Sequence, residues 1–184
     1  YLDRVMDSVH CLTDVCRRSL LNRLDRFEAM FPQLFFAVYI DALPTNTSVR
    51  EFGFWLLNRG AVGSIDFSRP NENGILLVLD LNSRSAALSL GYSLEGILGH
   101  GVLRKSLSKA APAWGKRDYH GGVLRCIDEV ADRLSKVGRP GRRGLAPPVA
   151  GLPDGLKGLR EGHQFGDRGH DLARPVGEFV QPEG

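Results

Sequence analysis

A chain of 184 residues with an apolar fraction of 42% and a formal charge of +3 has the size and composition of one globular domain with a tail. Its small, dispersed charge gives no electrostatic footprint for nucleic acid, and no apolar run reaches the roughly 20 residues that span a bilayer. Three cysteines, Cys11, Cys16 and Cys126, are too few for a disulfide framework and lack metal-ligand spacing.

The chain opens at Tyr1 rather than Met, which reads as a processed or fragmentary N-terminus compatible with a lost signal peptide or anchor. Thr13-Asp14 supplies a cap and an acidic first turn for a helix. Leu20, Leu21, Leu24, Phe27 and Phe31 then recur at helical spacing, and Pro32 marks the stop. Residues 34–40 are apolar throughout, as in a strand buried on both faces, with Asp41 at the exit. After a turn at Pro44-Thr45-Asn46-Thr47, Ser48 and Glu51 form a capping box for a second helix through Phe52, Trp55 and Leu56, ending near Gly60.

A polar loop over 61–74 carries Asp66, Arg69 and Glu72. Residues 75–81 and 85–90 read as hairpin strands joined around Asn82-Ser83-Arg84. Ser93 is placed to cap a short helical turn, and a helix is expected over 102–110, ending before Pro112. The last helix starts near Asp118, with Val123, Ile127, Val130, Leu134 and Val137 forming one apolar stripe. These elements predict an α/β fold, a three-layer α/β/α sandwich with a small mixed sheet of Rossmann-like kind, over residues 3–138. Residues 139–184 hold ten of the 22 glycines and six of the ten prolines, and read as a flexible tail.

Chain direction yields a candidate site. In a hairpin, the start of one strand lies beside the end of the other, so the loop with Asp66 and Glu72 is expected next to Glu95. If 34–40 also runs parallel to 85–90, Asp41 joins them at a carboxyl strand end, and Asp118 closes the group. Asp41, Asp66, Glu72, Glu95 and Asp118 would then offer oxygens to a divalent cation, calcium above all. The plainer alternative makes Asp118 a helix cap and the other four solvated loop residues.

Sharper motifs are absent. Gly91-Tyr92-Ser93-Leu94-Glu95 lacks the final glycine of a nucleophile elbow. No glycine-rich loop precedes a Lys-Ser or Lys-Thr pair, and Gly96, Gly99 and Gly101 miss the dinucleotide spacing. His100 and His120 lie outside any ligand-spaced pair, and Arg139–Arg143 reads as a solvated basic linker.

Several segments in order resemble the TPM domain family, whose members include thylakoid and bacterial envelope proteins. Val5-Met6-Asp7 with Leu12-Thr13 is similar to the entry into the family's first helix, and Asn73-Gly74-Ile75-Leu76-Leu77 to its "dnGvLl" segment. Gly91-Tyr92-Ser93-Leu94-Glu95-Gly96-Ile97-Leu98 resembles "GyGLEgvL", the most specific match, and Asp118-Tyr119 with Gly122 resembles "gdy..G". Arg59-Gly60-Ala61 replaces the family's Trp-Gly pair, Glu72 its Asp, and Gly99-His100-Gly101 stands where many members are acidic.

The resemblance implies an α/β/α sandwich, a calcium or other divalent-cation site, phosphatase activity in some members, and a periplasmic or membrane-associated role on membrane protein complexes. The leading expectation is therefore a cation-binding accessory domain serving membrane or envelope proteins. A metal-assisted phosphomonoesterase, acid phosphatase-like, is the enzymatic alternative. A pure interaction domain using loop 61–73 is the third.

Overall fold

The computed structural model describes residues 3–59, 71–137 and 178–180. In chain order these form β1 (Val5–Asp7), α1 (Asp14–Met30), β2 (Phe35–Asp41), α2 (Val49–Arg59), β3 (Gly74–Asp80), β4 (Ser85–Leu90), α3 (His100–Gly115), α4 (Tyr119–Val137) and β5 (Glu178–Val180). Short 3-10 turns cover Asn71–Asn73 and Tyr92–Leu94.

The sheet has the order β1-β2-β3-β4-β5, parallel from β1 to β3 and antiparallel from β3 to β5. The strand period of two divides its apolar residues between two cores. Phe36, Val38, Ile40, Ile75, Leu77, Leu79, Ala86 and Leu88 face the layer of α1, α3 and α4. Phe35, Ala37, Leu76, Val78 and Ala87 face α2, the one helix among the described residues on the other side. Every residue of β3 is buried, which explains why its sequence reads as an unbroken apolar run. The three-layer α/β/α expectation is met.

Local signals account for most element ends. The Thr13 hydroxyl accepts the Cys16 amide at 3.2 Å, and the Ser48 hydroxyl accepts the Glu51 amide at 3.3 Å, which is the Thr13 cap and the Ser48 half of the capping box. Gly53 lets α2 lie close on the sheet, because a Cβ there would stand 2.7 Å from Ser89 Oγ and 3.1 Å from Val78 Cγ2.

Four expectations change. α3 does not end before Pro112 but runs to Gly115; Pro112 itself is exposed, while its neighbours Ala111 and Ala113 are buried in the core. Ser93 caps no helix; its hydroxyl turns instead to Glu72 and Asn73. β2 is hydrogen-bonded to β3, in parallel, so it runs antiparallel to β4 rather than parallel. Within the expected tail, Glu178–Val180 form a strand on β4, with Ser85 opposite Val180. The remainder of 139–184 lies outside the described residues, as do Asp66 and Arg69.

Candidate functional site

The pairing of β2 with β3 divides the predicted acidic residues between the two ends of the sheet. Phe35 of β2 is level with Gly74 of β3, and Asp41 is level with Asp80. Six residue steps at about 3.3 Å separate the two ends, so Asp41 lies about 20 Å from the level of Gly74. A calcium ion holds its ligands at about 2.3–2.6 Å. One ion therefore cannot take Asp41 together with Glu72 and Glu95, and the single five-acid pocket does not form.

Glu72 and Glu95 do share an end. The Gly91 amide donates to the Gly74 carbonyl at 2.8 Å and ties the start of β3 to the exit of β4. The Ser93 hydroxyl stands 2.5 Å from both the Glu72 carbonyl oxygen and Asn73 Oδ1. Glu72 is exposed and Glu95 half-buried. α2 returns the chain from the carboxyl end of β2 towards the start of β3, where a Cβ on Gly74 would stand 2.9 Å from Leu57 Cδ1. The available donors are all oxygens: two carboxylates, a carbonyl, a side-chain amide and a hydroxyl. That set suits a hard cation such as calcium and not zinc, which favours nitrogen and sulfur. Among the described residues no group of three or more His, Cys, Asp or Glu is placed to hold a metal ion, so the carbonyl and amide oxygens would have to contribute.

At the opposite end each parallel strand finishes in an aspartate: Asp7, Asp41 and Asp80. Asp7 accepts the Cys11 and Leu12 amides at 3.1 and 2.8 Å and so shapes the entry to α1. Asp41 accepts the Tyr39 hydroxyl at 2.6 Å and the Ala42 amide at 2.8 Å. Buried Asp80 accepts the amides of Leu43 (2.9 Å), Asn82 (3.0 Å) and Ser83 (3.3 Å), and also the Ser83 hydroxyl. These charge-assisted bonds make all three carboxylates organisers of loop backbone. Asp118 behaves likewise, accepting the Gly121 amide at 2.8 Å at the start of α4. For Asp118 the structure shows the helix-cap geometry that the plainer reading describes.

Sequence reading missed Asp7 and Asp80, although both stand where an apolar run gives way to polar residues, the same signal that singled out Asp41. The reactive groups at this end are muted. Burial, with the Asp7 carboxylate nearby, pushes the Cys11 thiol up to about 12, so it is a protonated thiol at neutral pH. The Ser85 hydroxyl lies 2.6 Å from Ser83, whose own proton goes to Asp80. Burial and the nearby Asp41 carboxylate likewise raise the Tyr39 phenol.

The TPM domain family matches residues 5–133. None of the curated proteins matches the chain. Among solved structures it is similar to the N-terminal domain of a P. gingivalis protein, with 25% identity and a TM-score of 0.62, over 73% of this chain and 83% of that one. The BA42 protein of the psychrophile Bizionia argentinensis matches at 9% identity and a TM-score of 0.58, over 71% and 86% of the two chains. The N-terminal domain of cg2496 from Corynebacterium glutamicum matches at 16% and 0.58, over 83% and 92%. The family match spans well over half of the sequence, and the chain belongs to the TPM domain family.

Proposed function

We propose that this TPM domain is a divalent-cation-binding accessory module for membrane or envelope protein assemblies, with calcium held where β3 begins and β4 ends. The observation that carries the reading is the convergence of Glu72 O, Asn73 Oδ1 and Ser93 Oγ between the loops that bear Glu72 and Glu95. Ser93 has one proton for two acceptors unless the Asn73 amide turns over, and a cation on these oxygens removes the shortage. Trp55 and Tyr92 keep 58% and 80% of their surface exposed. Tyr92 immediately precedes Ser93, and Trp55 lies on α2 two residues before Leu57, whose Cδ1 a Cβ on Gly74 would meet at 2.9 Å. Exposed amphipathic rings beside a cation site suit contact with a partner surface.

An accessory role is favoured over hydrolysis by the state of the side chains at the carboxyl strand ends. Cys11 is held as the thiol, Ser85 is engaged by Ser83, and buried Asp80 already accepts four hydrogen bonds. None of these is an activated nucleophile or a free base.

Isothermal titration with calcium at neutral pH tests the cation reading. Saturable binding and a raised Tm are expected. Glu72→Gln and Glu95→Gln should each weaken binding at least tenfold, while Asp41→Asn leaves it unchanged. No heat and no Tm shift at millimolar calcium would remove the proposal. Turnover of a chromogenic phosphate monoester that vanishes in Glu72→Gln would replace the accessory role with catalysis. Pull-down from a membrane fraction, with and without chelator, reads the partner half; recovery that ignores the chelator would separate partner binding from the cation.

A further inference from the structure

A second site, at the far end of the sheet from the proposed cation, is carried by a cavity of about 580 Å³ between the β3–β4 turn, the exit of β1 and the α3–α4 connection. Its volume falls in the range of small-molecule pockets, and it lies by the carboxyl end of β3, where open α/β sheets usually bind ligands. Arg84 and Arg117 line it together with Trp114, Tyr119, Ser85 and Asp80.

Three observations give its ligand a chemical character. First, neither guanidinium group has an ion-pair or hydrogen-bond partner among the described residues; Arg117 is held only through its backbone amide, which donates to the Trp114 carbonyl at 2.9 Å. Asp80, the carboxylate in the same wall, is 3% exposed, and its oxygens already accept three backbone amides and the Ser83 hydroxyl. Asp118, next along from Arg117, is committed to the Gly121 amide. Second, Arg84 and Arg117 have φ angles of 53° and 61°, in the left-handed region where glycine is the more stable residue. His10, just before Cys11 of the cavity wall, has φ of 54°. Of the four non-glycine residues with left-handed φ among those described, three therefore stand in the loops around this one cavity. Backbone strain gathered this way marks functional loops, because a loop selected for stability alone would carry glycine or asparagine there. Third, the lining also includes Trp114 and Tyr119, with Leu79 and Ala86, which give part of the wall an apolar and aromatic character.

We propose that this cavity binds a small oxyanion, a carboxylate or a phosphate, attached to an apolar or aromatic body. Arg84 and Arg117 would hold the charged head, and Trp114 and Tyr119 would pack on the body. Guanidinium groups suit either head, since both oxyanions accept paired N–H donors.

Tryptophan fluorescence tests this, because the chain has two tryptophans and Trp55 lies on α2, which packs on the other face of the sheet. In a Trp55→Phe background Trp114 is the sole reporter. The probes are phenyl phosphate, benzoate and neutral benzyl alcohol, each titrated into the full chain without calcium. At least one of the two anions should quench or shift Trp114 saturably, and the tighter one names the head group. Benzyl alcohol should bind at least tenfold more weakly. Arg84→Gly and Arg117→Gly should each weaken the anion at least tenfold with no fall in Tm, because glycine accepts the same backbone angles. Equal binding of benzyl alcohol overturns the proposal, as does absence of binding by both anions at millimolar concentration. Unchanged affinity in both glycine variants also overturns it.

Discussion

Arg84 and Arg117 occupy left-handed backbone positions with long charged side chains, a choice that opposes local stability. The left-handed helical region costs an L-residue about 1–2 kcal/mol relative to right-handed geometry, and glycine is spared most of that cost. Arg84→Gly and Arg117→Gly are each expected to raise Tm by about 3 °C for a domain of this size, read by calorimetry. A fall in Tm would mean that the arginine side chains stabilise the fold by more than the left-handed backbone costs. The cysteines set a second expectation at this scale. In the folded chain burial raises the Cys11 thiol from its ordinary 9.0 to about 12, and fully buried Cys126 moves in the same direction. Folding thus favours the protonated thiol, and this contribution is complete below pH 9 and lost as the pH climbs towards 12. The urea midpoint should therefore fall between pH 8 and pH 10.5, and Cys11→Ala should flatten part of that fall. Single residues were unevenly legible in the sequence. The caps Thr13 and Ser48 could be read because their partners lie three residues away, whereas the left-handed arginines could not, since arginine carries no signal for φ.

At the scale of elements, the close approach of α2 to the sheet rests on Gly53. A Cβ there meets Ser89 Oγ at 2.7 Å and Val78 Cγ2 at 3.1 Å, and overpacking of this kind costs about 1–3 kcal/mol. The gain in helix propensity from Gly to Ala, about 1 kcal/mol, works the other way. Gly53→Ala is therefore expected to be net destabilising by about 1 kcal/mol in chemical denaturation, with Ser89→Ala restoring part of the loss in the double variant. The β3–β4 hairpin was legible because a short polar turn separates two apolar runs. The neighbour of β2 was not, since an apolar run buried on both faces fits beside either hairpin strand and only the assembled sheet selects one. β1 escaped notice for a different reason: Val5–Asp7 spans three residues, too few for any period to register. Pro112 signalled a stop, yet buried Ala111 and Ala113 hold the last turn of α3 against the core.

For the whole molecule, the outcome of that one pairing decides which acids can cooperate. Parallel alignment of β2 with β3 sends Asp41 to the carboxyl end with Asp7 and Asp80, and leaves Glu72 and Glu95 at the other. The antiparallel hairpin puts the Glu72 and Glu95 loops at one end of the sheet, whereas the pairing assumed for Asp41, β2 parallel to β4, is not the one the sheet contains. The result is a domain with two chemically distinct ends: a group of oxygen donors where β3 starts and, beside its finish, backbone-organising aspartates with two arginines whose guanidinium groups have no partner among the described residues. Among the described residues no helix is long and apolar enough to cross a membrane.

Calcium titration followed by amide chemical shifts separates these two ends directly. The expected result is a saturable set of shifts confined to 71–74 and 91–96, abolished in Glu72→Gln, with Asp41, Asp80 and Asp118 unmoved. Shifts centred on the Asp41–Asp80 end, or a spectrum indifferent to calcium, would contradict the proposed cation site.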